Sequence, residues 1–190
     1  FDKYGGPKNL LNNHLQVLPR DKGVLQPGAQ LLMKGKTVQT SLALDPLGRA
    51  VLPLLKAAYD ENAVLTLTRP PGGFTVRPRV SLALRADGAY EVADLRAACE
   101  QALGFARYAD NSARGLQCTG VRLVFPKDGE AAGVRVRAGG AEQALPLARG
   151  AAFAGDADDD FPVVTYRFGA QPAGQVVTYS APLAIVPLFE

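Results

Sequence analysis

Apolar and polar positions alternate along most of this chain in short runs, each cut by glycine or proline. Ala63 to Thr68 alternates, and so does Gly120 to Phe125, which places Val121, Leu123 and Phe125 on one face. Val163 to Phe168 and Val176 to Tyr179 share the tetrad Val-Val-Thr-Tyr, and Leu183 to Val186 makes a last apolar run. Period-two alternation bounded by turn residues is the signature of half-buried strands. The pattern predicts a mainly β chain: an antiparallel sandwich or paired sheets built from hairpins, with one α-helix at about 94–107.

A repeated unit supports the hairpins. Ser41-Leu42-Ala43-Leu44 leads to Gly48 and the apolar stretch Ala50-Val51-Leu52. Ser81-Leu82-Ala83-Leu84 leads likewise to Gly88 and then Tyr90 and Val92. A looser copy runs from Val134 to Gly139-Gly140 and on to Leu145-Pro146-Leu147. Glycine supplies the positive φ that a tight turn requires. Phe74 to Arg77 is expected to return on Ala63 to Thr68 in the same way, through Arg69-Pro70-Pro71-Gly72-Gly73. The turn Pro126-Lys127-Asp128-Gly129 carries the Asp-Gly signal.

The helix is read from a different period. Leu95, Ala98, Cys99, Ala102, Leu103 and Ala106 form one apolar stripe, with Arg96, Glu100, Gln101 and Arg107 opposite and Asp94 as the expected N-cap. The expected core includes Leu42, Leu44, Leu82, Leu84, Leu95, Leu103, Val121, Leu123, Phe125 and Val164.

Residues 1–35 look different. Gly5-Gly6-Pro7, Asn12-Asn13, Leu18-Pro19 and Gln26-Pro27-Gly28 are breakers at short intervals. They predict an N-terminal arm, with a short helix near Leu10–Leu15 capped by Asn9, and a single β-rich domain over 36–190. The alternative is two lobes, 36–112 and 113–190.

Composition narrows the functional classes. With 21 Lys and Arg against 18 Asp and Glu, the net charge is +3 and the basic residues are scattered. Arg69, Arg77, Arg79 and Arg85 form the densest basic stretch and read as a solvated sheet face, so no nucleic-acid partner is expected. The uncharged run Phe168 to Phe189 has the length of a membrane span, but it holds Pro172, Pro182 and Pro187, and no transmembrane segment is expected. Residue 1 is Phe rather than Met, as after trimming by cloning or by a signal peptidase.

There are two cysteines, Cys99 and Cys118. Two are too few for a disulfide scaffold or a four-ligand zinc site. A disulfide, two buried thiols and one reactive thiol are the readings open to them. The bridge is preferred, because Cys99 lies on the apolar stripe and Cys118 at the start of the next strand. A bridge implies an oxidising compartment, and the expected location is exported, periplasmic or cell-surface.

Candidate chemistry is sparse. No nucleophile elbow and no phosphate loop occurs. His14 is the single histidine and reads as a packing or surface residue; a Ser-His-Asp triad would have to use it. Asp156, Asp158 and Asp160 fall at positions 1, 3 and 5 of a calcium loop, but Phe161 replaces the glycine at position 6 and Arg167 the glutamate at position 12. That leaves a solvated loop or a looser oxygen-only Ca²⁺ site. Asp45, Asp60, Glu61, Asp87 and Glu91 are the carboxylates available to a hydrolase, and their spacing selects no pair.

The hairpins of apolar strand, Asp or Pro, glycine turn and apolar strand resemble those of transthyretin-like and carboxypeptidase-regulatory β-modules, one hairpin at a time. No functional residue carries over. The expected function is a non-enzymatic binding or assembly module of the bacterial cell envelope, without a cofactor, engaging a protein or envelope partner through strand edges or the arm at 1–35. The alternatives are a carboxylate-based hydrolase and a Ca²⁺-dependent binding module using the loop 156–160.

Overall fold

The computed structural model describes residues 1–20, 25–69, 72–128, 131–169 and 174–190. The backbone forms two compact units: a small one, Asn13–Arg79, and a large one, Phe1–Asn12 with Val80–Glu190. The first six strands are β1 (Leu11–Pro19), β2 (Gln30–Lys34), β3 (Gln39–Ala43), β4 (Arg49–Ala50), β5 (Val64–Leu67) and β6 (Phe74–Leu82), with the short helix α1 (Lys56–Asp60) before β5. Then follow β7 (Ala89–Glu91), α2 (Val92–Ala109), a 3₁₀ turn at Asn111–Gly115 and β8 (Cys118–Val124). The chain continues as β9 (Val134–Ala138), β10 (Ala141–Ala144), β11 (Leu147–Gly150), β12 (Phe161–Arg167), β13 (Gln175–Thr178) and β14 (Ala184–Phe189). The chain is mainly β, its sheets are antiparallel, and α2 is the main helix, as the alternation predicts.

The small unit is built around β2, which pairs with β3 on one side and β5 on the other. Leu31 on β2, Leu67 on β5, Val17, Ala29 and Ala50 form its core, with Leu42 and Leu44 half-buried at the margin. β1 pairs with β4, opposing Gln16 to Arg49. Gln16 is buried, and its amide is satisfied: Nε2 donates to the Leu47 carbonyl at 3.0 Å and Oε1 accepts from Arg79 Nε at 2.6 Å.

The large unit contains two sheets. In one the strand order is β11-β12-β8-β14, with the last residues of β6 beside β14 through Leu82↔Ile185. In the other it is β10-β9-β13-β7. A single apolar cluster joins Val121, Leu123, Phe125, Val164 and Ile185 of the first sheet to Tyr90, Val134 and Val176 of the second. α2 closes this core with Val92, Leu95 and Ala98. It packs on β7, β8 and β14.

Several expectations change. Residues 1–35 contain β1 and β2, whose ladders build them into sheets, and the units follow neither the arm-plus-body division at 35/36 nor the split at 112/113. Leu10–Leu15 is not a helix: Leu15 and Val17 alternate toward the core in β1, and pairing with β4 outweighs the local helical spacing. β5 pairs with β2 rather than returning on Phe74–Arg77. α2 starts at Val92 rather than at an Asp94 cap; Asp94 lies in the first turn, where its charge favours the helix dipole. Leu84 is 42% exposed because β6 ends at Leu82. Pro70, Pro71, Gly129 and Pro172 of the breaker motifs lie outside the described residues.

The repeat also has a different meaning. Only its third copy is a hairpin, β9–β10 through Gly139-Gly140. In the first copy β3 pairs with β2 and β4 with β1. In the second, β6 lies beside β14 and β7 pairs with β13. The shared Gly48 and Gly88 have φ of 71° and 64° and turn the chain from one sheet to another. A Cβ at Gly48 would stand 2.7 Å from the Val17 carbonyl, and one at Gly88 2.6 Å from Thr178 Oγ1.

The sulfurs of Cys99 and Cys118 stand at disulfide distance, with Cα atoms 6.0 Å apart. Cys99 is fully buried on α2 and Cys118 opens β8, so the pair ties the helix to the middle of the sheet. With a sequence separation of 19, such a link stabilises by about 3 kcal/mol through loop entropy. Cys118→Ser is expected to lower Tm by roughly 6–12 °C without reductant and by much less in excess reductant. Calorimetry in both conditions checks this; equal losses would mean that Cys118 acts only as a packed side chain.

Candidate functional site

The carboxylates available to a hydrolase are each engaged by neighbouring groups. Asp45 Oδ2 accepts from Arg49 at 2.7 Å, and its Oδ1 accepts from the Leu47 and Arg49 amides. Lys56 holds Asp60, Arg85 holds Asp87 at 2.8 Å, and the Thr37 hydroxyl and amide hold Glu61. Two of these contacts lower a carboxyl's pKa: the Arg85 hydrogen bond pulls Asp87 down to about 2, and the Thr37 contacts lower Glu61. A general acid needs the opposite shift.

One hollow, of about 570 Å³, brings Glu91 and Glu142 together with Arg137, Gln175 and the Gly139-Gly140 turn. Arg137 donates to Glu142 and holds it below the usual carboxylate range, and Gln175 Nε2 donates to Glu91 at 2.9 Å. Both carboxylates that line the hollow are thus hydrogen-bonded within it, one to a guanidinium and one to an amide.

The calcium-loop aspartates are not gathered either. Asp158 accepts from Lys127 Nζ at 2.6 Å, while Asp160 lies 3.8 Å from the Arg149 guanidinium. The Asp156 amide donates to the Phe153 carbonyl in a turn. Among the described residues no three His, Cys, Asp or Glu side chains are arranged to hold a metal ion. No described helix is long and apolar enough to cross a membrane.

Sequence reasoning treated strand edges only in general terms; the ladders locate one. β11 is the outermost strand of its sheet and pairs with β12 on one side. The Phe125 amide donates to the Pro162 carbonyl at 2.9 Å, so Pro162, and Val164 two residues on, turn their main-chain groups toward β8. Their partners across β11 are Arg149 and Leu147. These two residues therefore aim their N–H and C=O away from β12, while Ala148 and Gly150 bond inward. The same reasoning applies to β10, the outermost strand of the other sheet: Leu145 donates to Val134, which leaves Glu142 and Ala144 with outward main-chain groups. β10 and β11 are successive, joined only by Leu145-Pro146, and nearly every residue over 141–150 is exposed. The stretch carries one acid and one base, Glu142 and Arg149, each engaged by a neighbouring charge within the unit. Leu147 is 52% exposed. In the small unit β3 and β5 are also outermost strands. Glycine turns flanking alternating runs were the sequence signal for these strands; which runs lie outermost was not encoded locally.

A scan against protein-family models finds no match for the chain, and neither a curated protein nor a solved structure matches it.

His14 lies on β1, half-buried, with Arg49 and Asp45 as the charges that act on it. Burial first, and then the Arg49 guanidinium, push its pKa below 6.5, with Asp45 opposing. The unfolded chain therefore takes up this proton at higher pH than the folded one. Stability is full above 6.5 and is lost as pH falls through 6.5 to the depressed folded value. Tm is expected to decline over this window, before the carboxylates titrate, and His14→Gln is expected to flatten the decline; thermal melts across pH check both.

Proposed function

We propose that this chain is a non-enzymatic binding and assembly module, exported to the bacterial cell envelope, that receives an extended strand of a protein partner along the edge at 141–150. The observation that carries the reading is the outward main chain of Leu147 and Arg149 at the end of an otherwise paired sheet. An unpaired edge takes an added strand through main-chain hydrogen bonds, with side-chain neighbours giving selectivity. Export is supported by the cysteine pair at disulfide distance, since such bonds persist in oxidising compartments. A binding role over hydrolysis is supported by the pairing of Asp45, Asp87 and Glu142 with arginines, which lowers the pKa of the latter two.

Proline tests the edge cleanly. Leu147→Pro with Arg149→Pro removes two outward N–H donors and leaves the inward bonds of Ala148 and Gly150 in place. The variant is expected to keep its circular dichroism spectrum and to lose roughly tenfold or more of its binding to a partner captured from a solubilised envelope fraction. Equal capture by both proteins would reject the edge as the binding site.

A further inference from the structure

Charge is unequally divided between the two units. The small unit holds 9 Lys and Arg against 4 Asp and Glu, a net of +5, whereas the large unit holds 12 against 14, a net of −2. The small unit also carries the most anomalous apolar stretch of the chain. Val51, Leu54, Leu55, Tyr59, Val64 and Leu65 are all exposed, with Leu54 at 75% and Tyr59 at 83%.

α1 sits inside this stretch and buries none of its residues. A five-residue helix is marginal in water by itself and normally gains its stability by burying an apolar face. Here Leu55 and Tyr59, linked by the Tyr59 amide to the Leu55 carbonyl at 3.2 Å, lie on one helical face and remain in solvent.

Lysines accompany these side chains. Lys34 is paired directly with Val64 across the β2–β5 ladder. The tip of the β2–β3 hairpin, with Lys36, is fastened to the end of α1 through Thr37 and Glu61. Lys56 opens α1, is almost fully exposed, and reaches Asp60 one turn on. Neither hollow described in the chain is lined by any of the six apolar side chains. The stretch offers protruding apolar groups beside cations. Exposed leucine, an amphipathic tyrosine and flanking lysines suit the boundary between headgroups and acyl chains.

We infer that the small unit is a peripheral docking element for an anionic lipid bilayer, in which the stretch 51–65 enters the headgroup region while Lys34, Lys36 and Lys56 meet lipid phosphates. The inference rests on the envelope reading above but is independent of the strand edge, which belongs to the other unit.

The test is flotation of the full chain with phosphatidylglycerol–phosphatidylcholine vesicles and with pure phosphatidylcholine vesicles, each at low and high salt. Binding is expected to the anionic vesicles and to weaken with salt. Leu54→Ser with Tyr59→Ser is expected to reduce it roughly tenfold or more, and Lys34→Gln with Lys36→Gln roughly tenfold at low salt. All four positions concerned are exposed, so melting temperatures are expected to stay close to wild type. No binding by the wild type, or equal binding by the Leu54/Tyr59 variant, overturns the inference. So does a wild type that ignores vesicles and self-associates on gel filtration while that variant is monomeric, which would assign the stretch to a second copy. The Leu147/Arg149 variant must float like wild type. If it does while partner capture fails, only the strand-edge reading falls; if vesicle binding fails while capture persists, only the lipid reading falls.

Discussion

Backbone pairing on both sides of β8 is the constraint on which the large unit depends. β8 bonds to β12 on one side and β14 on the other, and Val121, Leu123 and Val124 are completely buried along it. A strand so placed has every main-chain group satisfied internally and must be covered on its faces. α2 supplies part of the cover through Val92, Leu95 and Ala98, and the second sheet supplies more through Tyr90, Val134 and Val176. The Cys99–Cys118 pair fastens the helix to the first residue of this same strand. Registers further out follow from β8, because each strand is positioned by the one it pairs with.

An open sheet transfers its unsatisfied groups outward until it ends. In the sheet of β8, on the β12 side, that end is β11, and the alternation set by the Phe125–Pro162 bond decides which of its residues face solvent. Asp45, Asp60, Glu61, Asp87, Glu142 and Asp158 meet arginine, lysine, threonine or backbone donors, and the carboxylate shifts that are resolved are all downward. Such matching is what a surface does to hold turns and hairpins, as Asp87 does at the Gly88 corner and Glu142 across the β9–β10 hairpin.

Much of this was legible in the amino-acid sequence wherever the signal is local. The stripe from Leu95 to Leu103 defines α2, and the alternation of Val121, Leu123 and Phe125 defines β8 and its buried face. The cysteine pairing followed from those two elements together. Partnership between strands was not legible. Gly48 and Gly88 announce turns correctly, but a turn between sheets and a turn within a hairpin use the same positive φ, and only long-range pairing separates them. The stretch Leu11–Pro19 was misread because Asn12-Asn13 look like breakers, while its pairing with Ala50 and Arg49 lies far away in sequence. The acidic run 156–160 matches a calcium loop at positions 1, 3 and 5 only, and Lys127 and Arg149, which meet Asp158 and Asp160, are not adjacent to it in sequence.

The β8 sheet is thus satisfied inward and open along β11. Amide hydrogen exchange of the isolated protein, resolved residue by residue over 147–150, tests it most directly. Ala148 and Gly150 are predicted to be protected, with Leu147 and Arg149 exchanging roughly a hundredfold faster or more. Uniform protection of all four amides would mean that the edge is already covered, and uniformly fast exchange would mean that β11 is not held by β12; either result contradicts the account.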